Sequence, residues 1–369
     1  MAQTIYTGKN ICDKLPEIIE KAGITKLMLV CGRSFDKQPI ARTVLNMDIP
    51  IVRFSGFGPN PLYDDVCVGI KQFNDEKCDG ILAIGGGSAI DTAKCIKLFF
   101  KMDPSIVYME QEYKDTGIPL IAVPTTAGTG SESTRHAVCY YEGKKQSISH
   151  ISIVPDYVLL ESLLLKNLPL YQKKCTMLDA LCQACESWWN INRTEESIRY
   201  SREAISLIAE NADRYLIDND EDAAEKILIA ANLAGQAINI TATTAAHAMS
   251  YKITSMYGQP HGHAVAVCFA EVWREMWEEL SSGKIEDEKL KVIFKDIAKQ
   301  MGYENVDDAI TGFSQTLEKY ELLNPVSENY EEDITILSES VNPVRLKNNP
   351  IQFEKDTIQK MYRNIVQNS

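Results

Sequence analysis

Four near-continuous apolar runs of strand length in the first third of the chain constrain its fold most. They read KLMLVC (26–31), PIVRF (50–54), DGILAIGG (79–86) and PLIAVP (119–124). Strands that are apolar along their whole length are typical of a sheet buried on both faces. Because segments with helical spacing of apolar residues separate them at 62–77 and 88–101, the pattern predicts a parallel sheet with crossover helices.

The second half of the chain has a different pattern. After a β-rich stretch at 134–161, long helical patterns follow one another from about residue 170 to 367 with almost no strand-like alternation. We therefore predict an α/β domain with a parallel sheet over residues 1–163 and an all-α domain over residues 164–369.

Composition narrows the classes of function. The net charge of −13 would repel a phosphate backbone, so we expect no nucleic-acid partner. No apolar stretch reaches the roughly 18 residues of a membrane span, and the amino terminus MAQTIYTGKN does not resemble a signal peptide. The ten cysteines are scattered, and the Cys182–Cys185 pair lies within a predicted helix rather than at a redox turn. We expect a cytoplasmic protein without a membrane partner.

A glycine-rich turn follows the third apolar strand and opens a helix. The segment Gly85–Lys94 reads GGGSAIDTAK. Glycines at such a turn let the backbone approach a diphosphate while the first helical amides point at its charge. The turn predicts phosphate binding by Gly86, Gly87 and Ser88, although it lacks the usual GxGxxG spacing of dinucleotide sites.

A second polar loop, PTTAGTGSE at 124–132, follows the next buried strand. Ligands of open α/β sheets bind beyond the carboxyl ends of the strands, where this loop adds the hydroxyls of Thr125, Thr126 and Thr129. Two such loops at one sheet edge predict a nucleotide-binding crevice.

The helical half carries a set of candidate metal ligands. Asp179 and Gln183 are four residues apart and therefore share one face of a helix. His247 and His261 follow, and with His263 they are three of the chain's five histidines. Imidazole and carboxylate ligands suit a divalent transition metal, iron(II) or zinc(II), with a position left open for substrate.

Together these motifs resemble the iron-containing alcohol dehydrogenases, the group III metal-dependent family. The resemblance covers nearly the whole chain and rests on segments in family order: GPNP (58–61), GGGSAIDTAK (85–94), PTTAGTGSE (124–132), DALxxAxE (179–186), and His247 followed by PHG (260–262). It implies the dehydroquinate synthase-like fold, with an N-terminal dinucleotide-binding domain and a helical metal-binding and substrate domain whose cleft holds the active site.

The resemblance also implies individual roles. Asp91 is expected to contact the cofactor and is grouped with the catalytic residues, and Lys145 is the candidate for a second cofactor contact. Tyr251 and His263 are candidates for proton relay.

Two positions depart from the family pattern. Gln183 stands where the family has a histidine ligand, and Tyr251 stands where a second histidine of an HxxxH pair often lies. An amide oxygen is a weaker ligand than imidazole, so we expect one divalent ion, iron(II), to be lost more readily than from a site with three histidines.

The charged residues near the predicted site indicate which cofactor and which substrate to expect. At the end of the first strand, Gly32, Arg33 and Ser34 stand where NAD-using members of the family tend to have an aspartate, which predicts NADP(H) in preference to NAD(H). Arg135 and Arg193 suit an anionic substrate. Within the family, the segments DALCQACESWW, SESTRHA and PHGHAVAV look like those of phosphonoacetaldehyde reductases, which implies reduction of phosphonoacetaldehyde to 2-hydroxyethylphosphonate.

Other functions stay open at this point. They are a sulfoacetaldehyde reductase or a general alcohol dehydrogenase of the same family, a lyase or synthase on the same fold, and a metal-deficient nucleotide-binding protein without catalysis. The metal actually bound, the direction of the reaction and homo-oligomer formation are also open.

Overall fold

A computed structural model describes residues 3–368. The chain forms two compact units. The first contains the residues up to Leu168 together with Asn219–Asn232, and the second contains Pro169–Asp218 together with the residues from Leu233 onward.

The first unit is built on a parallel sheet of six strands in the order β1-β8-β5-β4-β2-β3, accompanied by a separate antiparallel hairpin of β6 and β7. Its elements in chain order are β1 (Thr4–Thr7), α1 (Leu15–Lys21), β2 (Leu27–Cys31), α2 (Ile40–Leu45), β3 (Ile51–Phe54), α3 (Tyr63–Asp75), β4 (Gly80–Gly85), α4 (Gly87–Phe99), β5 (Leu120–Pro124), β6 (His136–Tyr141), β7 (Lys144–Ser149) and β8 (Tyr157–Leu160).

The inner strands β2, β4 and β5 are buried on both faces, which explains their continuous apolar runs. The prediction was wrong for β3, which lies at the edge of the sheet and leaves Arg53 exposed. Alternate residues of β2 enter different cores: Leu27 and Leu29 pack in the cluster that contains α1 and α2. Met28 and Val30 pack on the opposite face with residues of α3 and α4. A polar residue at any of these positions would lie in a core, so β2 shows no alternation of apolar and polar residues.

The second unit is almost entirely helical. Its elements, including the whole of the helix that continues from the first unit at Asn232, are α5 (Leu170–Trp189), α6 (Glu195–Leu216), α7 (Glu221–Thr241), α8 (Ala245–Tyr257), α9 (His261–Ser281), α10 (Glu288–Gln300), α11 (Val306–Lys319), β9 (Val326–Ser327), α12 (Tyr330–Glu339), α13 (Pro343–Leu346), α14 (Lys355–Ile365) and β10 (Gln367–Asn368).

Aromatic side chains fill the core of this helical unit. The rings of Trp189 and Phe269 stack at 5.3 Å between centroids, and Trp273 lies 6.2 Å from Trp189. These contacts hold the carboxyl end of α5 against the middle of α9. Among the described residues, no single helix is long and apolar enough to cross a membrane; only α7 with α8, bent by 110° where they meet, passes the length and composition test as a pair.

The predicted fold class is confirmed: a parallel sheet with crossover helices comes first and a helical region follows. The four predicted strands correspond to β2, β3, β4 and β5. Sequence patterns missed β1, whose four residues are too few to show a period and whose partner β8 lies about 150 residues further along the chain. The division at residues 163 and 164 stays a prediction.

Candidate active site

The strand order of the first unit creates a switch point between β2 and β4. From β2 the chain moves outward to β3, and it then returns to place β4 on the other side of β2. The connections on either side of this point run in opposite directions and leave a crevice beyond the strand ends. Cys31 and Gly85 end the two strands, so the segments that follow them border the crevice.

The glycine-rich turn and the threonine-rich loop pack directly against each other. A Cβ atom on Gly86 would lie 3.2 Å from Thr126 Oγ1, and one on Gly87 would lie 3.1 Å from Thr129 Oγ1. These separations are tighter than ordinary carbon contacts, so glycine lets the two loops approach. The structure thus brings together the two motifs that were predicted to form the nucleotide crevice.

The GPNP segment joins the same edge. Ser88, in the first turn of α4, donates a hydrogen bond from Oγ to the carbonyl oxygen of Pro59. The helix begins at Gly87 without a side-chain cap, so its first amides are available to an anion. Phosphate binding by Gly86, Gly87 and Ser88 stays a prediction, and this arrangement of amides supports it.

Asp91 holds the second loop from within α4. Its carboxylate accepts hydrogen bonds from the Ser131 hydroxyl and, at 2.9 Å, from the Val138 amide. Burial raises the pKa of Asp91, while the charges of Lys94 and Lys145 oppose that rise. Both carboxylate oxygens are thus engaged within the protein, an arrangement that favours a structural role. The predicted cofactor and catalytic roles of Asp91 are untested, and Lys145 lies close enough to interact with it.

Lys94 is a buried cation one turn further along α4. Its side chain is 0% exposed, and Nζ donates to the carbonyl oxygens of Ser131 (2.5 Å), Thr134 (2.7 Å) and His136 (2.7 Å). Burial lowers the pKa of Lys94 to about 8, against the opposing charges of Asp91 and Glu132. Lys94 therefore connects the end of the threonine-rich loop to α4, the helix that begins at the glycine-rich turn.

The segment after β2 is open and basic. Arg33 and Ser34 are exposed, and within residues 3–368 Arg33 makes no ion pair. The nearest acidic side chain along the chain, Asp36, is engaged by Arg53, whose Nη1 lies 2.8 Å from Oδ1. A Cβ atom on Gly32 would meet nothing within 4 Å. The cofactor role of Gly32, Arg33 and Ser34 stays a prediction.

In the second unit, three helices contribute to one cluster of candidate metal ligands, of which Asp179 and His247 are buried and His261 is half-buried. Asp179 on α5, His247 on α8 and His261 at the start of α9 each present a ligand atom, and these atoms lie within 4.8 Å of one another. The ring centroids of His247 and His261 are 5.5 Å apart. The structure thus brings together residues that are up to 82 positions apart in the sequence.

The cluster contains buried polar atoms without hydrogen-bond partners. Among the described residues, these atoms include Asp179 Oδ1, Gln183 Oε1 and His247 Nε2. His247 Nε2 lies 3.3 Å from Asp179 Oδ1, but the pair lacks hydrogen-bond geometry. Buried polar atoms normally have partners, and a bound cation would satisfy all three at once. The donor set therefore fits a divalent metal ion, with Gln183 as the fourth predicted ligand.

Electrostatics in the cluster favour positive charge. Burial alone would lower the pKa of His247, but the carboxylates of Glu186 and Asp179 outweigh it and raise this pKa to about 10. Burial alone would raise the pKa of Asp179, but His247, His261 and Gln183 bring it below its usual value. A site that stabilises a protonated ring beside a carboxylate also attracts a metal cation.

Gly262 allows α9 to begin beside α5. A Cβ atom there would overlap with the carbonyl oxygen of Cys175 and come within 2.9 Å of Asp179 Cβ. Any larger residue would push His261 away from Asp179. This explains physically why the PHG segment accompanies the cluster.

The two candidates for proton relay differ in their surroundings. Tyr251 lies one turn after His247 and stacks on the His261 ring, with centroids 5.9 Å apart. His263 has both nitrogens engaged, because Nε2 donates to Leu323 O at 2.9 Å and Nδ1 bonds the Tyr171 hydroxyl at 2.8 Å. Burial lowers the pKa of His263. These contacts favour a structural role for His263, and both relay roles remain predictions.

The two candidate anion-binding arginines lie in different units. Arg135 is half-buried beside β6, where its carbonyl oxygen accepts the His150 amide at 3.0 Å. Arg193 is half-buried and donates from Nη1 to Asn190 O at 3.0 Å.

Two buried residues with evident structural importance were assigned no role from the sequence. Lys94 and Glu186 belong to the GGGSAIDTAK and DALxxAxE segments, so the signal was present in the motifs. Their partners lie 37 to 61 residues further along the chain, and only the folded chain reveals them.

Comparison with known proteins agrees with this geometry. The sequence profile of iron-containing alcohol dehydrogenase matches residues 2–162, and that of the C-terminal region of the Fe-containing alcohol dehydrogenase family matches residues 174–366. The chain therefore belongs to the iron-containing alcohol dehydrogenase family, which confirms the resemblance drawn from its motifs.

Individual relatives of known name are about one third identical to this chain over part of its length. The probable alcohol dehydrogenase EutG of Escherichia coli (strain K12) is 34% identical over 58% of this chain and 55% of its own length. The phosphonoacetaldehyde reductase of Streptomyces viridochromogenes is 33% identical over 57% of this chain and 56% of its own length. The alignments thus span little more than half of these relatives.

A solved structure supports the fold across the whole chain. The sulfoacetaldehyde reductase from Bifidobacterium kashiwanohense, crystallised in complex with NAD⁺, superposes with a TM-score of 0.89. The superposition covers 98% of this chain and 96% of that one, at 25% identity.

Proposed function

We propose that this chain is an oxidoreductase that reduces a small anionic aldehyde to the alcohol with NADPH and a divalent metal ion, iron(II) in preference to zinc(II). The observation that carries the proposal is the cluster of Asp179, His247 and His261, in which Asp179 Oδ1 and His247 Nε2, like the neighbouring Gln183 Oε1, are buried without hydrogen-bond partners. Family membership supports the reaction class, and the amides of the Gly86–Ser88 turn support dinucleotide binding.

Different residues of this chain would bind the metal ion and transfer the proton. Asp179, Gln183, His247 and His261 would hold the ion. When bound, the ion supplies Lewis acidity at the aldehyde oxygen, and the nicotinamide supplies the hydride. The hydroxyl of Tyr251, stacked beside His261, is the proposed route by which a proton from solvent reaches the product alcohol.

The proposed substrate is phosphonoacetaldehyde, with 2-hydroxyethylphosphonate as product. One relative is named as a reductase of this aldehyde, and a structural neighbour is named for sulfoacetaldehyde, which has a similar anion on two carbons. Guanidinium groups bind such oxyanions through paired charge-assisted hydrogen bonds, and Arg135 and Arg193 are the proposed donors. Sulfoacetaldehyde is the second candidate substrate.

Removing an anion-binding arginine should affect charged aldehydes only. We expect Arg135→Ala to lower kcat/KM for phosphonoacetaldehyde by roughly 10- to 100-fold, the equivalent of a charge-assisted hydrogen bond of about 1.5–3 kcal/mol. Propanal should be reduced equally well by both proteins because it offers no anion. Steady-state kinetics with NADPH and the three aldehydes measure the effect.

The same experiment on Arg193→Ala tests the second arginine, and Arg199→Ala, a change of an exposed arginine on α6, is the matched control. The proposed anion site is refuted if the wild-type protein reduces propanal as efficiently as the two anionic aldehydes and Arg135→Ala leaves kcat/KM unchanged for all three. A preference for sulfoacetaldehyde over phosphonoacetaldehyde would support the second candidate.

The proposed NADPH preference rests on the open, basic segment after β2. We expect Gly32→Asp to shift the ratio of kcat/KM values from NADPH toward NADH by roughly 10- to 100-fold, because the new carboxylate accepts from the ribose hydroxyls and repels a 2′-phosphate. The side chain has room at this position, so the fold should tolerate it. Kinetics with both cofactors measure the ratio.

Gly32→Asn has the same shape without the charge and is the control. It should shift the ratio much less than Gly32→Asp. Equal efficiency of the wild-type protein with NADH and NADPH would refute the preference.

A further inference from the structure

Glu186 accepts several hydrogen bonds beside the cluster of candidate metal ligands. It lies on α5, three residues after Gln183, and is 0% exposed. One oxygen accepts from Thr244 Oγ1 at 2.8 Å, from the Ala246 amide at 2.9 Å and from the His247 amide at 3.4 Å. The other oxygen bonds His247 Nδ1.

The contacts with the Ala246 and His247 amides make Glu186 the cap of α8. This helix begins at Ala245, and the side chain of Thr244, at the N-cap position, makes no hydrogen bond to its first-turn amides. The unpaired amides at a helix start carry partial positive charge and need an acceptor. Here a carboxylate from α5 supplies it, so the helix that carries His247 is anchored to the helix that carries Asp179 and Gln183.

The fourth contact determines which ring nitrogen can face an ion. A carboxylate only accepts, so His247 Nδ1 must carry the proton in this pair. Nε2 is then the nitrogen left to bind an ion, with release of its own proton, and it is this atom that lies 3.3 Å from Asp179 Oδ1 without a hydrogen bond. One side chain therefore sets both the position of α8 and the tautomer of its ligand.

We propose that Glu186 is a positioning residue for the metal site, which holds His247 with Nδ1 protonated and Nε2 directed at the ion. This inference rests on the proposed function, because it requires that the cluster binds metal. Partners of this kind orient metal-binding histidines and raise their basicity, and their loss weakens metal binding by about 10- to 100-fold.

Glu186→Gln tests the inference with little change of volume. An amide cannot accept from Thr244 and Ala246 on one side and from His247 Nδ1 on the other, because one of its two ends donates. We expect the dissociation constant for zinc(II), measured by competition with a chromophoric chelator, to rise about 10- to 100-fold. Glu279→Gln on α9, a change of another buried glutamate, should leave it unchanged.

A second measurement uses the wild-type protein and does not depend on how the variant folds. In the zinc-loaded protein, nitrogen-15 NMR should show His247 with a hydrogen-bonded proton on Nδ1 and the metal on Nε2. The opposite assignment would overturn the inference, as would equal zinc affinity of wild type and Glu186→Gln. Failure of the wild-type protein to bind any divalent ion would instead overturn the proposed function.

Discussion

Removal of the bound metal is expected to lower kcat/KM for aldehyde reduction by roughly 1,000-fold, because Lewis-acid stabilisation of the developing charge contributes several kcal/mol and each 1.36 kcal/mol is a factor of ten. The test is dialysis against a strong chelator, with metal content and NADPH oxidation followed together. Anaerobic addition of iron(II) should restore activity.

Substitutions at Gln183 show whether its amide takes part. An imidazole binds iron(II) or zinc(II) better than an amide oxygen, so Gln183→His should slow loss of the ion by roughly tenfold, the equivalent of about 1.4 kcal/mol. Gln183→Ala should hasten loss, since it removes the oxygen that is buried without a partner. Retention equal in Gln183→Ala and wild type would mean that the amide is not a ligand.

Chelation also separates catalysis from binding alone. If the chelated protein keeps its full activity, the metal has no catalytic role. If the wild-type protein binds NADPH but neither retains metal nor oxidises NADPH with any aldehyde, the chain is a metal-deficient nucleotide-binding protein without catalytic activity.

The second large effect is expected on stability, at Lys94. Replacement by methionine keeps most of the volume but removes the cation that three buried carbonyl oxygens share. Breaking such a buried network by deleting one partner costs about 3–5 kcal/mol. For a unit of this size we expect the midpoint of thermal unfolding of the first unit to fall by roughly 6–20 °C, measured by calorimetry.

Lys71→Met is the matched control, because Lys71 lies exposed on α3 and forms only a surface ion pair with Asp75. Its effect should be below about 1 kcal/mol. If the two substitutions lower the midpoint equally, Lys94 does not anchor the loop. Weaker NADPH binding by folded Lys94→Met would further connect this anchor with the proposed crevice.

Family motifs identified the candidate site more completely than local patterns alone. Asp179 and Gln183 share a helical face, and that spacing is visible in the letters of α5. Nothing local indicated that His247 and His261 lie beside Asp179. The order of the motifs in the family supplied that expectation, and the folded chain brings their atoms within 4.8 Å.

Local sequence patterns were enough to predict the α/β region and the helical region, because both depend on periods of a few residues. The apolar runs of β2, β4 and β5 are buried on both faces, and the patterns after residue 170 repeat at helical spacing. The glycines before α4 likewise indicated a turn that approaches another group closely. These signals are local, and secondary structure and burial follow from them.

Which distant groups meet could be seen only in the folded chain. Glu186 and His247 are 61 residues apart, and Lys94 finds its carbonyl partners 37 to 42 residues further along the chain. Helix spacing determines which face a side chain shares, but not which other helix packs on that face. The packing of α5, α8 and α9 makes that choice, because a buried charge is stable only where the assembled chain supplies its partners.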